Sequence, residues 1–307
     1  KYSDEEIMRR MQYLLVVNDF RGKFGYQNNM YMLAGLIIQK ASGMTWSEFI
    51  QKRFFTPLEM TQSRPSNDEL EEGQHVAMAH IKGEMLPIYD FNGTKPAASI
   101  YSSVEELTHW AEMLMNGGKY KGKQVLGQKT VESLFAPETL TPLGDELKAR
   151  GSHFTAYGLG WRIFDYGGRK VVEHDGGMPG YISKVALVPE EKLAVVVLNN
   201  GMDFMINDVI RYYVLDEYLG MEPFDWNKVY GGYIEGYKAY MAANEKARID
   251  ARETDTSPSQ PHVSYCGTYE DKMYGEAEIK LDEGELYIKL LPTQEIFHGK
   301  MTHWHHD

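Results

Sequence analysis

The chain has 307 residues, 43% hydrophobic and 25% charged, a globular composition long enough for one large core or two smaller ones. Asp and Glu number 44 against 32 Lys and Arg, and the net charge of −12 repels phosphate backbones and anionic lipid, which argues against a nucleic-acid partner. A single cysteine, Cys266, rules out an internal disulfide, and the longest apolar runs, Met30–Ile38 and Leu193–Leu198, fall far short of the roughly 20 residues of a membrane helix.

In chain order, apolar spacing at Ile7, Met8, Met11, Leu14 and Leu15 predicts a helix over Ser3–Val17, with Ser3 and Glu6 as a capping box. A second helix runs from Asn28 through Met32, Leu33, Leu36 and Ile37 to a stop at Ser42-Gly43. Thr45 caps a third, through Phe49 to Phe54, that ends before Pro57. Ser103 and Glu106 open another helix that reaches Asn116-Gly117-Gly118. The period then changes: Tyr157–Asp165, Lys170–His174, Ser183–Val188 and Leu193–Asn199 read as closely spaced strands of an antiparallel meander, followed by a helix over Met205–Leu219.

Residues Tyr237–Arg252 read as a charged amphipathic helix. The run Asp255–Pro261 reads as a linker. Beyond it, Tyr265–Tyr269, Ala277–Leu281 and Leu286–Leu290 form β segments with turns at Lys272–Gly275 and Asp282–Gly284. The fold class is therefore α+β, an antiparallel sheet flanked by helices with a helical subdomain, followed by a small all-β module. The boundaries are 1–253, a linker 254–261, and 262–307.

Several signatures lead away from cofactors and metals. Gly117–Lys123 nearly matches a phosphate-binding loop, but Gln124 stands where Ser or Thr would hold magnesium and a helix precedes it, so a hairpin is the expectation. Strand alternation would place His303 and His305 of the tail on one face, two histidines with no fixed third ligand, a solvated edge. Asn92-Gly93-Thr94 is a formal glycosylation sequon of a kind frequent by chance. Neither a cofactor nor a metal is expected.

The segments Tyr26-Gln27-Asn28 and His174-Asp175-Gly176-Gly177 carry the functional signal. The run from Phe24 to Tyr31 opens a helix that ends in Ala41-Ser42-Gly43-Met44-Thr45. Together with Phe54–Met60, Pro96–Ser103, Tyr157-Gly158-Leu159-Gly160-Trp161, His174–Tyr181 and Val195–Gly201, it resembles the serine β-lactamase-related, penicillin-binding-protein-like hydrolases. That group includes class C β-lactamases, DD-peptidases, esterases and D-aminopeptidases, and the match covers roughly residues 10 to 225 in order.

The resemblance implies a β-lactamase/transpeptidase-like fold and acyl transfer through a serine in a Ser-x-x-Lys motif. Tyr26 corresponds to the motif tyrosine, whose ordinary pKa of ~10 requires a nearby ammonium before it can act as a base. Asn28 would hydrogen-bond that lysine and the substrate. His174-Asp175-Gly176 stands where Lys-Thr-Gly is frequent. A histidine there supplies a weaker, pH-dependent positive charge, which favours peptidase or esterase action over efficient lactam hydrolysis. Gly176 and Gly177 leave room beside the strand, the Gly177 amide is by analogy an oxyanion donor, and Asp175 joins Asn28 as a substrate contact.

Three places on from each serine there is no lysine, so the chain holds no Ser-x-x-Lys. The expectation is that the motif lies upstream of Lys1, that residues 1–253 lack an N-terminal part, and that the chain alone is inactive. The module at 262–307 resembles part of a lipocalin-like β-domain, too short at this length to close an eight-stranded barrel. Ser102 or Ser103 as a replacement nucleophile, and a non-catalytic binding or scaffolding relative that retains the cleft, are the alternatives. The implied partner is a small-molecule or peptide substrate, and the implied location is periplasmic or extracellular. Oligomeric state is left open.

Overall fold

The structure, a computed structural model, describes residues 2–307; Lys1 and the side chain of the sequon residue Asn92 lie outside the described residues. The chain divides into two compact units, Asn18–Tyr230 in one, and the segment up to Val17 with Gly231–Asp307 in the other.

Helix α1 (Asp4–Arg10) belongs to the smaller unit. Ser3 caps it by accepting from the Glu6 amide, but the Glu6 carboxylate does not complete the box, because Arg9 (2.8 Å) and Arg10 (2.6 Å) take it. A short 3₁₀ turn extends the helix only to Tyr13. The predicted continuation to Val17 fails: Leu15, Val16 and Val17 lie exposed outside any helix or strand, with no burial to offset the low helix propensity of two adjacent valines.

The larger unit begins with α2 (Asn28–Ser42), capped by the Gln27 side chain on the Asn29 amide (3.0 Å) and stopped by Gly43 at φ +70°. Gly35 faces Pro96 so closely that a Cβ would lie 2.2 Å from the proline ring. Thr45 and Glu48 form a complete capping box for α3 (Trp46–Ile50), which runs on as a π-helical turn to Phe55. A hairpin, β1 (Ala79–Ile81) and β2 (Glu84–Leu86), precedes α4 (Val104–Met115).

Where a phosphate loop was weighed, β3 (Lys119–Tyr120) and β4 (Lys123–Gln124) form a hairpin, with the Gln124 amide donating to the Gly117 carbonyl. There follow α5 (Gln128–Leu134), β5 (Thr139–Thr141), α6 (Asp145–Ala149), β6 (Thr155–Tyr157), β7 (Arg162–Tyr166), β8 (Arg169–Met178), β9 (Tyr181–Val188), β10 (Leu193–Asn199) and α7 (Phe204–Tyr218). Helix α8 (Trp226–Asp250) starts in this unit with Trp226 and Tyr230 buried. It begins well before the predicted Tyr237, because Gly231, Gly232 and Gly236 dilute the apolar period that would have announced it.

The six-stranded sheet has the order β10-β9-β8-β7-β6-β5, antiparallel throughout, the meander expected from the spacing. The predicted strand Tyr157–Asp165 is in fact two, since the chain reverses at Gly158–Trp161 with Gly160 at φ +83°. Side-chain alternation sends Ile163, Val172 and Leu187 into one core with Leu58, Met113 and Trp161. Their strand neighbours Phe164, Val171 and Ala186 enter a second core with Tyr212, Leu215 and Trp226.

In the smaller unit, β11 (Gly267–Asp271), β12 (Gly275–Asp282), β13 (Glu285–Leu290) and β14 (His298–Lys300) form a four-stranded antiparallel meander. Among the described residues no helix is long and apolar enough to cross a membrane.

Candidate active site

Strand β8 supplies the centre of the site. Its last residues, His174 to Met178, pair with β9 from Val185 to Tyr181, so the glycines lie at the end of a hydrogen-bonded ladder. Gly177 is exposed, and a Cβ on it would lie 2.8 Å from the Phe204 ring. A Cβ on Gly176 would lie 2.2 Å from the Ser183 hydroxyl. Only glycine fits between these side chains and a ligand. The tip of the β8–β9 hairpin is strapped by the segment entering β1. Gly180, at φ +82°, abuts Ala79 where a Cβ would lie 2.4 Å away. The Tyr181 hydroxyl donates to the Ala77 carbonyl (2.7 Å), and Asn200 donates to the Met78 carbonyl (2.8 Å).

His174 is largely covered, and both its ring nitrogens are occupied. Nδ1 lies 2.5 Å from the Asp175 carbonyl, which can only accept, so Nδ1 carries the proton. Nε2 then accepts from the Tyr157 hydroxyl at 2.9 Å. Burial holds the imidazole below its ordinary value of 6.5, Arg162 and Lys184 push the same way, and the Asp175 carbonyl and carboxylate oppose them. The neutral imidazole is therefore favoured at neutral pH, and any positive charge at this position is weaker than a free histidine would carry.

Tyr26 stacks on His174, ring centroids 6.0 Å apart at 30°, and meets Tyr157 edge-on at 6.3 Å. Phe24 packs on the other side of Tyr157 at 4.9 Å. Burial pushes the Tyr26 phenol up, Tyr31 and Asp175 add to the effect, and Arg162 opposes it. By itself Tyr26 is a hydrogen-bond donor, and a base only beside a further cation. Asn28 lies exposed in the first turn of α2, two positions on from Tyr26.

Asp175 is drawn the other way. Its carboxylate pairs with Lys184 of β9 (2.5 Å), which also meets Asp208 of α7 (2.5 Å) and lies 3.7 Å from Glu173. Arg211 of α7 joins Asp208 (2.9 Å) to Glu173 (3.3 Å). Burial alone would lower the Lys184 pKa, but Glu173, Asp208 and Asp175 hold it above the ordinary lysine value. The two cations in turn keep Asp208 below its own against the pull of desolvation. Asp175 thus ties β8 to β9 through its side chain, with Lys184 carrying the link on to α7, and orients His174 through its carbonyl.

The structure brings Tyr26 onto His174 beside Gly176 and Gly177, sets Asn28 two residues on from Tyr26 in α2, and turns the Asp175 side chain to Lys184. Ser103 is used as the α4 cap. Ser102 contacts Ser63 (2.7 Å), which donates to the buried Glu106 carboxylate, and no lysine shares that network. Among the described residues no three His, Cys, Asp or Glu side chains are grouped as a metal site, and His306 of the tail pairs with Glu253. Tyr157, Tyr31, Arg162 and Lys184 went unassigned by sequence. For Lys184 and Glu173 the signal was there, a charge inside an otherwise apolar strand; for Tyr157 it was only a place in the Tyr-Gly-x-Gly-Trp run.

A family profile described as Beta-lactamase matches residues 1–219, and a second, described as a domain of unknown function (DUF3471), matches residues 251–307. An unguisins hydrolase of Aspergillus campestris is 26% identical over 294 residues, covering 91% of this chain and 53% of its own. The chain thus spans about half the length of that relative. Among solved structures, the octameric penicillin-binding protein homologue from Pyrococcus abyssi aligns with a TM-score of 0.64 at 23% identity, over 97% of this chain and 60% of that one. D-amino acid amidase from Ochrobactrum anthropi SV3, complexed with L-phenylalanine amide, aligns at 0.50 and 21%, over 65% and 56%. At these identities the structural likeness establishes the fold.

Proposed function

We propose, from the premise that this chain belongs to the beta-lactamase family, that it carries the tyrosine and oxyanion-strand half of a serine hydrolase acting by acyl transfer on amide and ester bonds. The observation that carries this reading is the stacking of Tyr26 on His174 beside Gly176-Gly177, two segments about 150 residues apart in sequence brought together at the C-terminal end of β8. A serine and lysine in Ser-x-x-Lys, from a segment of the protein outside these residues, would complete it. The lysine ammonium would stabilise the Tyr26 phenolate, the phenolate would take the serine proton, and the Gly177 amide would face the developing oxyanion. Asn28 would hold the lysine and the substrate amide.

An uncharged His174 leaves the strand without the cation that would grip a penicillin carboxylate, which favours amide and ester substrates. The D-amino acid amidase and unguisins hydrolase among the relatives point to the same bond types. Such an enzyme works outside the cytoplasmic membrane, and the antiparallel meander at 262–307 supports the reading of a lipocalin-like β module there.

The test is covalent labelling of the full-length protein with a serine-directed phosphonate, alongside hydrolysis of an activated ester and a D-amino-acid amide. Labelling that is lost when Tyr26 becomes Phe is the expected result, and no labelling of the full-length protein overturns the reading. A second reading, a non-catalytic binding or scaffolding relative that keeps the cleft, is favoured by the absence of Ser-x-x-Lys from the 307 residues. It predicts ligand binding with no adduct, so the same experiment separates the two.

A further inference from the structure

We infer that Tyr157 is a positioning residue that locks His174 in a single tautomer, Nδ1–H toward the Asp175 carbonyl and Nε2 filled by the Tyr157 hydroxyl. His174 then serves the site as an uncharged stacking platform for Tyr26. The inference deepens the hydrolase reading and rests on it for its catalytic meaning, but the tautomer lock is testable in this chain alone.

Three observations carry it. The two hydrogen bonds, 2.9 Å and 2.5 Å, use every polar atom of the imidazole, so no ring nitrogen is left to bind substrate or accept a proton without breaking one of them. Tyr157 is itself buried, wedged between Phe24 and the edge of His174, with ring centroids 6.0 Å apart at 72°, so its hydroxyl has little freedom to turn away. Its phenol is also held far above the ordinary tyrosine value by burial and by the neighbouring Tyr31 and Tyr26, which keeps it a donor across the working pH range.

The groups facing His174 from the surrounding elements are Tyr26 before α2, Tyr157 of β6, Arg162 of β7, Asp175 of β8 and Lys184 of β9. Arg162 and Lys184 disfavour a proton on the ring and Asp175 favours one, while Tyr157 fills the nitrogen that would take it. Removing the Tyr157 hydroxyl opens Nε2 to solvent protons without changing the shape of the core.

The experiment is a ¹⁵N-imidazole NMR titration of this chain and of Tyr157→Phe between pH 5 and 8, with Tyr218→Phe, an exposed position of α7, as a control. In the parent, His174 should show the Nδ1–H tautomer and titrate below its ordinary value. In Tyr157→Phe its titration should move up toward that value and both tautomers should be populated at near-native thermal stability, while Tyr218→Phe stays like the parent. In the full-length enzyme, Tyr157→Phe should add an acidic limb to kcat/KM that Tyr218→Phe lacks. A parent His174 that titrates at its ordinary value, a dominant Nε2–H tautomer, or a Tyr157→Phe spectrum unchanged from the parent would overturn the inference. A full-length protein that shows the lock but no hydrolysis would instead count against the hydrolase reading.

Discussion

The two antiparallel meanders of this chain differ in what covers them. The six-stranded sheet has a hydrophobic core on each face, whereas in the four-stranded sheet and the rest of residues 231–307 no hydrophobic side chain is fully buried among the described residues. Tyr269 and Tyr287 of the smaller sheet, and Tyr274 and Phe297 in the turns that border it, all lie exposed. Its ion pairs, Lys280 with Glu278 and Lys300 with Glu285, are wet and worth little. Double cover lets the larger sheet hold a lysine, an arginine and three carboxylates against β8 and β9, and keep a histidine neutral.

The sharpest way to break this contrast is Lys184→Met. It leaves Asp175, Glu173 and Asp208 facing Arg211 alone, and the loss of one partner from a buried network costs about 3–5 kcal/mol. Hydrogen exchange on the whole chain should then speed up in β8 and β9 and leave β12 and β13 unchanged; equal acceleration in both sheets would show that the two are not independently stabilised.

A smaller effect is expected from acid. The folded His174 binds its proton less readily than the unfolded one, so the unfolded state takes up more protons below the ordinary value of 6.5, and stability is lost as pH falls from there toward the folded pKa. Asp208, lowered in the fold, contributes stability that is present above its ordinary 3.8 and lost as pH falls through its folded value. Urea midpoints between pH 8 and 3, followed by exchange of β8 and β9, should show two steps, with the upper one diminished in Tyr157→Phe. The least effect is expected from Tyr287→Ala in β13, about 0.5–1 kcal/mol for a partly exposed strand residue, read from the exchange of its β12 partners.

Legibility followed the range of the interactions. Helix α2 was readable because its cap, apolar spacing and stop at Gly43 are all local, and the meander was readable because its turns are short. The sequence did not show that Tyr157 and Arg162 are separated by a reversal, since the apolar and aromatic residues run on through it. It also hid the start of α8 behind three glycines. Tyr26, His174 and the glycine pair could be found by resemblance. The low basicity of His174 could not, because it depends first on how deeply the folded sheet covers the ring, and its Nε2 partner, Tyr157, is set by how β6 and β7 bend.

The strap across Gly180 carries a thermodynamic consequence. With Ala77, Met78 and Ala79 fastened over the hairpin tip, residues 176–181 are ordered before any ligand arrives. Fixing a backbone takes about 1–2 kcal/mol of conformational entropy per residue, and here that cost falls on folding and not on binding. A ligand that fits residues 176–181 as they stand gains this difference in affinity, and one that needs the tip to move loses it.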